Sequence, residues 1–234
     1  MTELSLVLLP GLDGTGKLFT PLIKYLPDQL RPVVVSYPRD IPYGYEDLLA
    51  IVQSSLPKDR KYIILGESFS GPLALLAAHR PQPGLIGIVL CATFVKNPFL
   101  LIPSWLSVLS FGPLYSLWPL TIRIRALFSR VDVELINAAL EAVKSVKPAV
   151  IATRVKSLLR VNVEKELKDC PVPILYIESI RDRLIKKHNV ERICHINKEV
   201  KVVRINTSHF VLQLAPEEAA KVIGAFTKEL MCHS

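Results

Sequence analysis

The sequence predicts an α/β protein: a mainly parallel, doubly wound sheet of about six strands, interrupted by a helical cap. Three observations carry that expectation. Short apolar runs alternate with helical patterns along most of the chain. The runs are continuous in their hydrophobicity, as strands buried on both faces require. One long stretch, about 95–168, suspends the alternation before it resumes.

The elements follow in order. Leu4–Leu9 reads as a strand, followed by a glycine-rich loop (11–16) and a helix near Leu18–Leu26. Val33–Ser36 is the second strand, then a Pro/Gly loop (38–44) and a helix near Glu46–Ser54. Tyr62–Leu65 precedes Gly66-Glu67-Ser68-Phe69-Ser70-Gly71 and the helix-like run Pro72–Ala78. Leu85–Cys91 and Ile174–Ile177 are further strands on either side of the interruption. A helix near Lys186–Ile193, a strand at Val200–Ile205 and a terminal helix near Pro216–Leu230 complete the pattern.

The interruption has two halves. Phe99–Leu120 holds no charged residue and is long enough to raise a transmembrane reading. Pro103, Gly112, Pro113 and Pro119 break any single helix, so short helices forming an apolar lid are expected. Val131–Arg160 has helical periodicity with a break at Pro148. The expected organisation is a core of 1–94 and 169–234 with a cap of 95–168 over the sheet's C-terminal edge.

Composition narrows the function classes. The chain has 234 residues, half of them hydrophobic, enough to bury a core without staples. Its four cysteines are scattered, with no CxxC pair, so neither a disulfide framework nor a metal site is expected, and no cofactor. The start, Met1-Thr2-Glu3, puts an acid where a secretory leader wants a basic region, and a cytoplasmic setting is expected. The net charge of +8 is local: residues 121–168 carry 10 basic and 5 acidic side chains. Interleaved with apolar residues and lacking a nucleic-acid-binding motif, that charge reads first as solvated helix faces.

Three features carry chemistry. Ser68 sits on a tight turn between strand and helix, where a hydroxyl projects above the sheet edge beside free helix N–H groups. Asp182 follows the strand at Ile174–Ile177, and His209 follows the strand ending at Ile205. In an open parallel sheet such strand ends share one edge. A serine hydroxyl is a poor nucleophile at neutral pH; His209 would take its proton and Asp182 would orient the imidazole. Phe69 N–H and Leu12 N–H, the latter in the loop Pro10-Gly11-Leu12-Asp13-Gly14-Thr15-Gly16, are the candidate oxyanion donors.

On these residues the chain resembles the α/β-hydrolase superfamily over nearly its whole length. The resemblance implies a serine hydrolase with an oxyanion loop, nucleophile elbow, cap, acid and histidine in that order. Three departures stand out. The usual G-x-S-x-G has Ser70 at its last position, with Gly71 after it; the histidine-glycine pair before the oxyanion loop is Pro10-Gly11; and the chain begins almost on the strand carrying that loop, implying a minimal sheet.

Each residue has a plainer reading. Ser68 could be a turn serine, Asp182 a helix cap for Arg183–Ile193, and His209 a buried hydrogen-bonded histidine. Glu178 is the fallback acid, and Glu67 reads as solvated or hydrogen-bonded locally. Gly11–Lys17 also matches most of a phosphate-binding loop, but Leu18 stands where magnesium wants Ser or Thr.

The expected activity is cleavage of carboxylic esters with an apolar acyl group through an acyl-enzyme. Trp105, Phe111, Leu114 and Trp118 in the apolar lid are the candidate substrate contacts. Arg123, Arg125, Arg154 and Arg160 form a basic cap that could dock an acidic acyl carrier protein or an anionic lipid surface. The alternatives are therefore a carrier-linked ester hydrolase, of the kind that cleaves pimeloyl methyl ester, a thioesterase, or a lysophospholipase. A non-catalytic binding protein of the same fold is the alternative of another class. Nothing in the sequence reports oligomeric state.

Overall fold

A computed structural model describes residues 4–80, 83–99 and 133–232. Its centre is a six-stranded sheet: β1 (Leu4–Leu9), β2 (Leu30–Val34), β3 (Tyr62–Glu67), β4 (Leu85–Cys91), β5 (Ile174–Ser179) and β6 (Lys201–Ile205). The spatial order is β2-β1-β3-β4-β5-β6, and every neighbouring pair is parallel. Parallel pairing forces each connection to cross a face of the sheet. The helices are α1 (Thr20–Ile23), α2 (Tyr45–Ser55), α3 (Gly71–Ala78), α4 (Val133–Lys144), α5 (Pro148–Arg160), α6 (Glu164–Lys168), α7 (His188–Ile196), α8 (Val211–Leu214) and α9 (Pro216–Cys232).

Side chains alternate across each strand, so both faces of the sheet acquire a core. Val7, Leu9, Ile64, Ile88, Leu90 and Tyr176 face α2, α3 and α7. Leu6, Leu8, Ile63, Leu65, Val89, Cys91, Leu175 and Ile177 share the other core with Leu22 of α1 and with Ala219, Ile223 and Phe226 of α9. β1, β3 and β5 are buried along their whole length, which explains their unbroken hydrophobic runs. The outer strand β2 is mostly exposed and carries Pro32, a residue that central strands exclude.

The strand order reverses direction at β1, whose two neighbours are β2 and β3. The loops leaving β1 and β3 therefore diverge at this switch point and open a crevice above the C-terminal edge. Those loops carry Leu12 and Ser68.

Two elements differ from expectation for identifiable reasons. The helix expected near Leu18–Leu26 is a 3₁₀ turn, Lys17–Phe19, followed by the short α1. An α-helix would need an N–H at Pro21 to reach the Lys17 carbonyl; Thr20 N–H takes that carbonyl instead. β2 starts at Leu30, not Val33. Arg31 and Pro32 hid it, because an edge strand needs only one apolar face.

Between β4 and β5 the chain makes the long excursion. It leaves and returns through a pinch: Lys96 and Asn162 form an antiparallel bridge, and Val163 N–H donates to the Val95 carbonyl at 2.8 Å. The break at Pro148 is real, separating α4 from α5, and Pro148 stands in the first turn of α5, where a missing N–H costs nothing. α5 rests on the loops behind β1 and β2: Lys147 N–H donates to the Arg39 carbonyl at 2.8 Å, and Val150 and Ile151 pack with Leu12. Trp105, Phe111, Leu114, Trp118, Arg123 and Arg125 lie outside the described residues. Among those that are described, no helix is long and apolar enough to cross a membrane.

The junction of β3 and α3 tolerates no added bulk. A Cβ on Gly66 would stand 2.6 Å from the Ser70 carbonyl oxygen and 2.9 Å from Gly71 Cα, both backbone atoms. Gly66→Ala should therefore destabilise the fold by roughly 1–3 kcal/mol, the cost of overpacking a filled core. Urea unfolding should show a lowered midpoint at unchanged slope.

Candidate active site

Ser68 begins the 3₁₀ turn between β3 and α3 with φ 49°, one of two non-glycine residues with positive φ among those described. That conformation costs of order 1–3 kcal/mol and persists only where surrounding contacts hold it. Gly66 and Gly71 allow those contacts. A Cβ on Gly71 would collide with the Thr93 side chain. Pro72 stands in the first turn of α3, and seven of that helix's eight residues are buried, so the turn is backed by a helix embedded on all sides.

Asp182 and His209 complete a hydrogen-bonded line. His209 Nδ1 lies 2.7 Å from Asp182 Oδ2, and His209 Nε2 lies 2.9 Å from Ser68 Oγ. A carboxylate only accepts, so Nδ1 carries the proton and Nε2 of the neutral ring is left to accept from the serine hydroxyl. Asp182 does double duty. Its Oδ1 accepts from Leu184 N–H at 2.8 Å and Ile185 N–H at 2.9 Å, which caps the turn that follows. The helix-cap reading of Asp182 is corrected: α7 starts only at His188, after Lys187, so Asp182 Oδ1 holds a loop turn, not a helix end, and the two oxygens divide the tasks. Glu178, the fallback acid, is instead paired with Arg204 at 2.8 Å.

Burial by itself would lower the pKa of His209. The Asp182 carboxylate, by charge and hydrogen bond, outweighs burial and raises it above the ordinary 6.5, with Glu67 adding to the effect. Glu67 is buried, not solvated; burial pushes its pKa up to about 7, against the pull of a hydrogen bond from Gln213 and of nearby His209. Gln213 Nε2 donates to Glu67 Oε1 at 2.9 Å and also reaches the Leu18 carbonyl at 3.2 Å.

The peptide groups around Ser68 are held from behind. Thr93 Oγ1 donates to the Ser68 carbonyl. That carbonyl shares its peptide plane with Phe69 N–H, so fixing one aims the other in the opposite direction. Thr93 is itself clamped by the Tyr176 hydroxyl, which accepts from Thr93 N–H at 3.1 Å and donates to the Thr93 carbonyl at 2.8 Å. Tyr45 stacks on Phe69 with ring centroids 4.7 Å apart and donates to its carbonyl at 2.8 Å.

Ser70, the departure from the usual elbow, has a structural task. Its buried Oγ donates to the Pro10 carbonyl and accepts from the Tyr37 hydroxyl at 2.7 Å. The residue where glycine is usual thus ties the Ser68 turn to the loop carrying Leu12. That loop passes close: a Cβ on Gly11 would stand 4.0 Å from Ser68 Cβ. Gly14 N–H closes a turn onto the Gly11 carbonyl at 3.0 Å. The helix after the loop has only four residues and Gly16 packs on Val34, so the phosphate-loop resemblance finds no long helix end to complete it.

Arg154 requires a correction. Expected on an exposed docking surface, it is fully buried, with Nη1 donating to the carbonyls of Leu12 and Asp13 at 2.9 and 2.8 Å and Nη2 to that of Pro38 at 2.9 Å. Three backbone carbonyls and the face of Tyr37, 5.6 Å from its guanidinium carbon, replace solvent. The sequence did hold a signal for this: Arg154 falls three or four residues from Val150, Ile151 and Leu158, on the buried face of α5. Arg160, at the end of the same helix, is exposed. Ser70, Tyr37 and Thr93 carried no such signal, since each acts through a contact distant in sequence.

A parallel α/β sheet whose C-terminal edge brings serine, histidine and aspartate into hydrogen-bonded line defines a class of protein. The chain belongs to the alpha/beta hydrolase family, whose model matches residues 6–222. Solved structures agree in fold. The enol-lactonase from Burkholderia xenovorans LB400 superposes with a TM-score of 0.81 at 15% identity, covering 97% of this chain and 92% of its own. An esterase (EaEST) from Exiguobacterium antarcticum gives 0.81 at 13% identity, with 97% and 92% covered. MenH from S. aureus gives 0.75 at 16% identity, with 99% and 96% covered. No curated protein matches the chain.

The raised pKa values of Glu67 and His209 imply a pH dependence of stability. A group whose pKa is higher folded than unfolded stabilises the fold when protonated, and that contribution is lost as pH rises through the folded value. For Glu67 the window runs from its ordinary 4.5 to about 7. Unfolding free energy should fall across that window, and Glu67→Gln should flatten the fall. By NMR, the His209 ring should titrate above 6.5, and Asp182→Asn should move its midpoint downward because burial then dominates.

Proposed function

We propose that the protein is a serine hydrolase that cleaves carboxylic esters through an acyl-enzyme. The observation carrying this reading is the line from Asp182 Oδ2 through His209 to Ser68 Oγ, with contacts of 2.7 and 2.9 Å. These distances lie within the reach that proton transfer requires.

Ser68 Oγ attacks the ester carbonyl carbon while its proton passes to His209 Nε2. The imidazolium that forms is stabilised by Asp182, which stays ionised. Negative charge develops on the carbonyl oxygen, where Leu12 N–H and Phe69 N–H serve as donors. His209 then gives its proton to the departing alkoxide, leaving an acyl group on Ser68. Water repeats the cycle: His209 takes its proton, hydroxide adds to the acyl carbon, and Ser68 leaves with the proton returned. The names of two structural neighbours, an enol-lactonase and an esterase, agree with ester chemistry.

The substrate class proposed is a small ester with an apolar acyl group, drawn from the uncharged stretch Phe99–Leu120 between β4 and β5. Docking of an acidic carrier protein loses one of its four supporting arginines, because Arg154 is turned inward. A small-molecule substrate is therefore favoured over a carrier-bound one.

Wild-type protein should release p-nitrophenol from acyl esters with an initial burst and should be labelled by a fluorophosphonate. Ser68→Ala should lose the label and, by comparison with similar relays, on the order of 10⁶ in kcat. Equal labelling of both proteins would remove the proposal. Across a series of acyl chain lengths, small esters should respond little to salt; a steep loss of activity on a carrier-bound ester alone would restore a docking role for the remaining basic residues.

A further inference from the structure

The oxyanion loop is held by its carbonyls, one after another. The Pro10 carbonyl accepts from Ser70 Oγ, and the Gly11 carbonyl from Gly14 N–H at 3.0 Å. The carbonyls of Leu12 and Asp13 accept from Arg154 Nη1, and that of Gly14 accepts from Tyr37 N–H at 2.8 Å. Two of these five anchors, Ser70 and Tyr37, come from elements beside the sheet, and one closes within the loop itself. Those at the centre of the loop come from α5, inside the excursion between β4 and β5. Leu12 N–H shares its peptide plane with the Gly11 carbonyl, which Gly14 N–H holds; Gly14 N–H in turn shares its plane with the Asp13 carbonyl that Arg154 holds, so the guanidinium aims Leu12 N–H through this turn.

Arg154 is built into this place. Its side chain is fully buried, and a Cβ on Gly14 would stand 2.5 Å from Nη1, so only glycine leaves room for the guanidinium. The fork also spans two loops, bonding Pro38 behind β2 through Nη2 at 2.9 Å. A lysine, with one compact ammonium on a flexible stem, cannot reproduce a planar bridge to three carbonyls.

Resting on the assignment of Ser68 as nucleophile, we propose that Arg154 is a positioning residue for the oxyanion site: it orients the loop bearing Leu12 N–H and makes that donor dependent on the docked state of α5. Arg154 does not touch the substrate. Its effect is exerted on the transition state, where the donor must meet a developing charge, and far less on ground-state binding.

The test compares wild type, Arg154→Ala and Arg154→Lys. Three quantities are read: kcat and KM on a p-nitrophenyl acyl ester, inhibition by an alkyl trifluoromethyl ketone, and the response to free guanidinium at sub-denaturing concentration. The ketone adds to a catalytic serine as a tetrahedral oxyanion and so reports on the same donors. Arg154→Ala should lose about 10²-fold in kcat, the scale of a misplaced catalytic group, with KM little changed. Ketone affinity should weaken in parallel, and guanidinium should restore part of kcat in Arg154→Ala but not in wild type. Arg154→Lys should fall between the two.

A folded Arg154→Ala or Arg154→Lys with wild-type kcat overturns the proposal. So does a loss confined to KM, or a loss of kcat with unchanged ketone affinity. If alanine does not fold, lysine decides; if neither folds, Arg154 is a structural residue and the proposal fails. A wild type that neither turns over nor takes a fluorophosphonate label defeats the hydrolase reading and this inference with it. An active wild type matched by its Arg154 variants defeats only the inference.

Discussion

The structure turns on how closely the backbone of β3 can approach the start of α3. Ser68 adopts a left-handed conformation that its side chain disfavours. It is kept there because Gly66 leaves space for the Ser70 carbonyl and Gly71 leaves space for Thr93. The strain is small beside the burial that enforces it: β3 is inaccessible along its length and α3 nearly so. In the nucleophile role proposed for it, Ser68 would need little reorganisation on such a turn when substrate arrives. The histidine and aspartate come to it on loops from β6 and β5, at the same sheet edge.

Around that turn, preorganisation is achieved by hydrogen bonds to carbonyls. Thr93 holds the Ser68 carbonyl, Tyr45 holds that of Phe69, Ser70 holds Pro10, and Arg154 holds Leu12 and Asp13. Each peptide group so held points its N–H the other way. Electrostatic stabilisation by fixed dipoles is effective because the dipoles are already oriented before charge appears. Tyr37 joins two of these anchors and adds a third. Its hydroxyl meets Ser70, its ring faces Arg154, and its N–H meets Gly14.

Much of this was legible in the sequence, and the rest was hidden for physical reasons. The six strands were readable because two-sided burial writes continuous apolar runs, and Ser68 because its turn is encoded by six adjacent residues. Asp182 and His209 were readable from their places after strands. Arg154 was misread because charge on a helix usually faces water; its spacing to Val150, Ile151 and Leu158 pointed inward. Thr93, Tyr37 and Ser70 act over separations of 25 to 60 residues, which no local pattern records. α1 is shorter than its hydrophobic spacing suggests because Pro21 has no N–H to carry a helix through from Lys17.

The two rims of the sheet have a bearing on colloidal behaviour. One rim, β2, contains an imino acid with no hydrogen to offer a neighbouring strand, and the other, β6, carries the exposed ion-paired side chains Lys201, with Glu229, and Arg204, with Glu178. Both discourage a second molecule from adding strand to strand, the route by which open sheets nucleate fibrils. A protein so guarded can leave its crevice edge accessible without the sheet itself becoming a template for aggregation.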